Sequence, residues 1–440
     1  MKNSESYLRC IETTCAERYR INERLYTCSR CGDLLDVQYS FNLAGTPAQT
    51  KNIFKERRSI NDELERSGVW RFRELLPFVR DFSKVVTLSE GNTPIYRASR
   101  SAEYCGLREL RLKHQGMNPT GSFKDNGMTT SVTQAVALGP SAVACASTGN
   151  TSASMAAYAA RAGLRAFVFI PADQVAYGKL SQSLEYGARV IEIEGNFDDA
   201  MRLVRELAEE TDLYLLNSIN PFRLEGQKAI IISMMEQCEW EAPDWIGLPG
   251  GNLGNTSAFG KALFELKELG FIDRVPRLAV IQSEGASPFY EMFRSRAALS
   301  PVANPVTLAT AIRIGNPVSW KKALRAIEWT NGVVERVSEQ EIADAKAVIG
   351  TDGIGCEPAS AATLAGIKRL VQSGIIAKSD NVIGVLTGNL LKDPNYTIGY
   401  HTAELKFEES GVQQRIEGNF ANKPLRAAAN KEAIRRVLDM

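Results

Sequence analysis

Residues 141–170 read SAVACASTGNTSASMAAYAARAGLRAFVFI. Two short apolar runs, 141–146 and 165–170, flank a polar loop (STGNTSAS, 147–154) and an Ala-rich segment of helical length. Short apolar runs bounded by turn residues read as buried strands. A helix between two such strands is a crossover, and crossovers build parallel sheets with helices on their faces. The alternation continues in both directions. Further strand candidates are 107–113, 188–193, 213–216, 245–248, 277–282 and 381–386, with helix-patterned segments such as 197–210 and 255–269 among them. So many units exceed one small sheet. The expected fold is α/β, with two doubly wound parallel-sheet domains and a ligand between them near the carboxyl ends of the strands. The smaller domain is expected at 115–210 and the larger at 86–114 together with 211–400.

Outside this alternation lie three other regions. Residues 1–45 hold a cysteine cluster, 46–85 are polar and charged and read as helices that connect it to the core, and 401–440 end in a basic helix-like tail (ANKEAIRRVLDM), read as a solvated surface helix. The 440-residue chain has a net charge of +1, with 44% apolar and 23% charged residues. Such a balance points to no nucleic-acid or membrane partner. No apolar run reaches the ~18 residues that span a bilayer. The start, MKNSESYLRC, lacks the apolar core of a signal peptide, so a cytoplasmic protein is expected. Cys105, Cys145, Cys238 and Cys356 are scattered through periodic segments and read as small buried hydrophobes in a reducing compartment. With only two histidines, chemistry built on several His ligands is disfavoured.

The other four cysteines are Cys10, Cys15, Cys28 and Cys31. Two pairs of thiolates on two turns suit tetrahedral zinc in a ribbon-like module too short to fold on an apolar core alone. The second pair has the usual two-residue gap; the first has four, which loosens its turn. The alternative is a degenerate ribbon of reduced thiols that has lost its metal.

Four further stretches bear on chemistry. NPTGSFKD (118–125) puts Lys124 behind a tight turn and after Phe123, a setting a solvated lysine does not need. An ε-amino group forms a Schiff base only when deprotonated, and burial lowers lysine pKa enough to allow it. The 147–154 loop offers hydroxyls, an amide and helix-start N–H groups to a carboxylate, although it reads equally well as an N-cap loop. PGGNLGN (249–255) follows a strand and opens a helix; its glycines let backbone N–H groups turn on an anion. It lacks Walker and G-x-G-x-x-G spacing, which leaves a monophosphate as its natural guest. VLTGN (385–389) places the neutral hydroxyl of Thr387 at a strand end. A Lys-bound aldehyde, a phosphate and a ring nitrogen describe pyridoxal 5′-phosphate.

Together these motifs resemble the threonine synthase family, within the tryptophan-synthase-β-like, fold type II pyridoxal phosphate enzymes. The likeness runs from about Thr87 to Lys392 and takes in EGNTP (90–94), GMNPTGSFKDNGMT (116–129), STGNTS (147–152), NSINPFRLEGQK (217–228), PGGNLGN (249–255), ATAIRIGNPVSW (309–320), CEPASAA (356–362) and LTGNLLKDP (386–394). The resemblance implies that Lys124 carries the cofactor and that Asn150 meets its 3-hydroxyl. Gly251, Asn252, Leu253, Gly254 and Asn255 would cradle its phosphate, and Thr387 would face its ring nitrogen. A hydroxyl there would not protonate that nitrogen as a carboxylate would. Ser147, Thr148 and Thr151 would meet the substrate carboxylate or phosphate, and Ser218, Asn220 and Arg223 the substrate phosphate. The implied reaction turns O-phospho-L-homoserine and water into L-threonine and phosphate, the last step of threonine biosynthesis. The alternative is a related β-replacing or eliminating enzyme, of the cysteate synthase or threonine dehydratase kind. Relatives of this fold are commonly dimers, so a homodimer is an expected assembly, although the sequence marks no interface.

Overall fold

The computed structural model describes residues 5–172, 177–195, 197–409 and 411–438. Two open sheets organise it. The larger has six strands in the order Val333–Val337, Arg277–Ser283, Trp245–Pro249, Val382–Leu386, Leu110–His114 and Ile95–Arg97. Its neighbours are parallel except for the last pair. The smaller has four parallel strands in the order Arg189–Ile193, Arg165–Pro171, Ala142–Ala146 and Leu213–Leu215. The strands AVACA, WIGLP and VIGVL are buried at every position. Burial on both faces is why they read as continuous apolar runs. Every strand expected from residue 107 onward is present, and the 141–170 unit is the crossover its pattern predicts. Leu213–Leu215 pairs in the smaller sheet, just beyond the expected 210/211 boundary.

The helices Lys124–Leu138 and Pro221–Gln237 cross with their backbones in contact. A Cβ on Gly226 would lie 1.7 Å from the Asn126 carbonyl oxygen, and one on Gly127 would lie 2.7 Å from that of Arg223. Only glycine fits at such a crossing. The contact sets the opening two turns of one helix against the start of the other, and so brings Lys124 and Arg223 into one region.

The connecting segment is helical, as expected. Pro47–Arg57 starts with a Thr46/Gln49 capping box. Its Phe54 packs edge-on against Phe72 and stacks on Phe271 in the main core. Ahead of it, Arg18–Arg20, Glu5–Cys10 and Leu35–Ser40 form a small antiparallel sheet. This module docks through a shared apolar cluster, in which Leu8, Leu35 and Val37 join Trp70, Phe222 and Ala229, and through charge. Asp36 meets Lys261 and Lys322, the Tyr39 hydroxyl donates to Glu225 at 2.6 Å, and Lys228 bridges Glu225 and Glu265. The tail carries a hairpin, Lys406–Glu409 with Val412–Arg415, and an exposed helix, Lys431–Val437. Among the described residues no helix is long and apolar enough to cross a membrane.

Candidate active site

The 118–125 turn is held from three sides. The Asn118 amide oxygen accepts the Gly91 N–H at 2.8 Å. Buried Asp125 accepts the Thr120 N–H at 2.7 Å, the Thr120 hydroxyl at 2.6 Å and the Ser154 hydroxyl at 2.5 Å. Phe123 N–H donates to the Thr387 carbonyl, and Asn389 N–H to that of Gly121, both at 2.9 Å. The turn is thereby tied to the Asn150–Arg161 helix and to the strand end that bears Thr387. Lys124 Nζ lies 3.8 Å from the centre of the Phe123 ring. Burial, with the nearby Arg223 charge adding to it and Glu357 opposing, pushes the Lys124 amine down to about 7. A large share of neutral amine at neutral pH is what Schiff-base chemistry needs.

Two helix starts open beside it. Gly149 precedes Asn150–Arg161, and no side chain caps the helix. The Ser147 hydroxyl accepts the Gly149 N–H at 3.2 Å; Thr148 and Thr151 flank it, half-buried. Without a cap, the first N–H groups keep their affinity for an anion. The N-cap reading of this loop is therefore not realised. The second start is Gly254–Glu268, which is likewise uncapped and is entered through Leu253 at φ +62°. A Cβ on Gly251 would press on the Ala311 carbonyl at 3.2 Å, so the 250–255 loop lies close against the 309–319 segment. Asn252 ties these parts together. Its amide oxygen accepts the Val318 N–H at 2.8 Å, and its NH2 donates to the Ser218 hydroxyl at 2.9 Å.

Pyridoxal 5′-phosphate can be tested against this setting. Thr256 and Ser319 are buried and, among the described residues, their hydroxyls have no partner, and neither has the buried Asn255 amide oxygen. A buried polar group left unpaired costs about 1–3 kcal/mol. Several of them gathered at an uncapped helix start suit an acceptor-rich phosphate. The amine, the hydroxyl at Thr387 and this cradle fit the group.

Arg223 is 2% exposed, and among the described residues no carboxylate pairs with it. Its Nη1 donates to the Leu216 carbonyl at 3.2 Å, while Nε has no partner. Burial lowers its pKa to about 10, a mark of a cation lacking a counter-ion. The Asn220 amide is engaged internally: it caps Phe222 N–H at 3.0 Å and donates to the Leu215 carbonyl at 2.9 Å.

Glu357 was not singled out from the sequence. It precedes Pro358–Gln372 at the N-cap position, yet makes no capping bond. Its buried carboxylate turns inward, accepting from the Asn150 NH2 at 2.9 Å and from the Thr387 hydroxyl at 3.2 Å. Burial holds this carboxyl above the usual range, against the pull of Asn150, Lys124, Thr387 and Lys392. Ser360 and the Thr256/Ser319 pair also escaped notice. A glutamate where Ser, Thr, Asp or Asn usually caps a helix was the one available signal.

The four cysteines come together despite the wide first gap. Their sulfurs lie within 4.8 Å of one another, with Cys10–Cys31 at 3.4 Å and Cys15–Cys28 at 3.7 Å. Sulfurs bound to zinc at ~2.3 Å sit roughly 3.8 Å apart in a tetrahedron, so the donor set fits. In the first pair the chain turns back at Glu12, whose carbonyl accepts the Cys15 and Ala16 N–H groups at 3.1 and 2.8 Å, and in the second the N–H of Gly32, which sits at φ +77°, donates to the Cys28 carbonyl at 2.8 Å.

Residues 86–388 match the family described as "Pyridoxal-phosphate dependent enzyme". The threonine synthase of Methanocaldococcus jannaschii is 46% identical over 411 residues, covering 93% of this chain and 98% of that protein. The chain belongs to the threonine synthase family. The family's enzyme from Methanosarcina acetivorans is 48% identical over 394 residues, 89% of this chain and 93% of its own length. The solved structure of Escherichia coli threonine synthase superposes with a TM-score of 0.68, over 98% of this chain and 99% of that one, at 15% identity. At that identity the likeness speaks for the fold, which extends over nearly the whole threonine synthase chain.

Proposed function

We propose that the chain converts O-phospho-L-homoserine and water into L-threonine and phosphate. The observation that carries this is Arg223, a buried guanidinium without a carboxylate, placed beside Lys124 and an uncapped glycine-rich helix start. One anion site serves the cofactor; a second serves a substrate that itself carries phosphate.

Pyridoxal 5′-phosphate, when bound, supplies an electron sink that stabilises carbanions beside the substrate nitrogen. Lys124 would hold it, with Asn150 at the 3-hydroxyl and Thr387 at the ring nitrogen. Gly251, Asn252, Leu253, Gly254 and Asn255 would hold its phosphate, with the Thr256 and Ser319 hydroxyls. Arg223 grips the substrate phosphate, helped by Ser218, and Asn220 fixes Arg223 by capping its helix. Ser147, Thr148 and Thr151 hold the substrate carboxylate at the 149–150 helix start. Lys124, neutral in good part near pH 7, takes the proton from Cα and then one from Cβ as phosphate leaves Cγ; Cγ is protonated, water gives its OH to Cβ, and Cα regains a proton.

The four cysteines are assigned to one structural zinc ion. All eight cysteines are free, which supports a reducing, cytoplasmic setting. The division into a 1–45 module, a 46–85 connector, two α/β domains (115–210, and 86–114 with 211–400) and a 401–440 tail is supported by the separate sheets except at 213–215, which pairs in the smaller one, and a homodimer is the assembly expected from relatives of this fold. Purified protein given phosphohomoserine should release threonine and phosphate in equal amounts. A 2-oxo acid in place of threonine would assign the chain to the eliminating relatives.

A further inference from the structure

Gln227 is a buried amide whose oxygen lacks a partner. It stands one turn after Arg223 on the Pro221–Gln237 helix, so the two side chains share a face. The residue is 3% exposed, and among the described residues its Oε1 has no hydrogen bond. The amide lies between two helix starts. A Cβ on Gly127, in the Lys124–Leu138 helix, would lie 3.1 Å from Gln227 Nε2. A Cβ on Gly254, which opens the uncapped Gly254–Glu268 helix, would lie 3.4 Å from Gln227 Oε1 and 3.6 Å from Leu224 Cδ2. Glycine at both positions lets the amide reach in. Filling this gap does not require an amide. An apolar side chain of similar size would do so without a buried unpaired oxygen, which costs free energy. An amide kept here points to a polar ligand at the Gly254 helix start.

We infer that Gln227 is a further phosphate contact, whose NH2 donates to the cofactor's phosphate at the Gly254 helix start. This rests on the reading that Lys124 carries pyridoxal 5′-phosphate with its phosphate on residues 251–255. The terminal amide torsion of glutamine is broad and two-fold, so oxygen and NH2 exchange places within one volume. A helix start by itself favours an oxygen beside it, because its N–H groups carry partial positive charge. A phosphate on those N–H groups is an acceptor-rich anion and reverses the preference, so NH2 faces it. The side chain that meets the phosphate is also packed on the Lys124 helix at Gly127. One amide thereby joins the two places at which the cofactor is held, its aldehyde end and its phosphate end. Arg223, one turn earlier, is left for the substrate phosphate.

The test compares two aldehydes on one apoprotein: pyridoxal 5′-phosphate, and pyridoxal, which lacks the phosphate. Each is titrated against the native protein, Gln227→Met and Gln227→Asn, whose amide falls one methylene short. The absorbance band of the lysine-bound aldehyde gives the affinity, and the ratio of the two affinities reports the phosphate contacts alone. A hydrogen bond to a charged group is worth roughly 10- to 150-fold, so both variants should lower the ratio by a factor in that range while pyridoxal binds as before. An unchanged ratio overturns the inference. So does an equal loss of both aldehydes, the sign of a purely structural amide. A raised KM for phosphohomoserine with an unchanged ratio overturns it too, and moves the amide to the substrate phosphate. A crystal structure of the native holoprotein needs no variant: Nε2 should lie within about 3.2 Å of a phosphate oxygen, and a longer separation overturns the inference. Native protein that forms the band with neither aldehyde would remove the cofactor reading and the inference with it; a normal band with an unchanged ratio in the variants removes the inference alone.

Discussion

The thiol module and the lysine pocket are assembled in opposite ways. The module's four thiols come from residues 10–31, around one small sheet. The pocket's groups come from Lys124, Asn150, Ser218, Arg223, Asn252, Glu357 and Thr387, carried on helices and strand ends of both large sheets. In the module, local chain geometry decides which atoms meet. In the pocket, helix crossings and sheet order decide it. A local site can be lost or kept by itself, whereas a distributed site fails when any of its carriers moves. Charge joins the two, because Asp36 and Tyr39 of the module reach Lys261 and Glu225 on helices that also form pocket walls.

The strongest break in this comparison is Lys124→Ala. Turnover should fall by roughly 100- to 10,000-fold or more, as expected for loss of a general base, and the borohydride-sensitive band should vanish. Zinc content, measured on the same protein, should not change. Next comes Arg223→Ala. Losing a charged hydrogen-bond donor costs about 1.5–3 kcal/mol, roughly 10- to 150-fold in kcat/KM. It should appear as a raised KM for phosphohomoserine with the cofactor band intact; unaltered kinetics would remove the second anion site from the proposal.

Cys31→Ser probes the other region. Cys31 is the exposed member of the four, so its loss should lower bound zinc and depress Tm by a few degrees, at about 2–4 °C per kcal/mol or less in a chain this long. KM should stay within about twofold, since none of the module's four cysteines is among the pocket groups. A cofactor band that disappears with the zinc would mean the Asp36–Lys261 junction governs the pocket after all.

The smallest effect is a shift in pH midpoint. The amine attacks an aldehyde only when neutral, so the rate of cofactor attachment to the apoprotein should rise with pH, with its midpoint at about 7. The Arg223 charge is one cause of that low value. Removing it in Arg223→Ala should move the midpoint upward, towards the ordinary lysine range. A midpoint that stays put in a rapid-mixing titration would show that burial acts alone.

In the sheet interiors the expected strands shared a visible cause. Trp245–Pro249, Val382–Leu386 and Ala142–Ala146 lie inside their sheets and are buried at each residue, so their sequences are unbroken apolar runs. The two strands not foreseen in the large sheet, Val333–Val337 and Ile95–Arg97, are its two edges. Edge strands are half-exposed and polar in part, as VVERV and IYR are, and carry little periodic signal. The site divides in a similar way. Lys124 and the 249–255 glycines were legible because a turn or a close backbone approach demands particular residue types there. Glu357 was not, since its partners Asn150 and Thr387 are 207 and 30 residues away in the chain.

Residue order alone settled the α/β class, the thiol pairs and the family motifs, because each depends on spacing within a turn, a strand or a helix start. Packing alone decided that Gly226 lies on Asn126, that Arg223 is buried without a carboxylate beside Lys124, and that Glu357 faces Thr387. Those facts rest on contacts between distant segments, whose distances and desolvation come into being only when helices cross and sheets close over them.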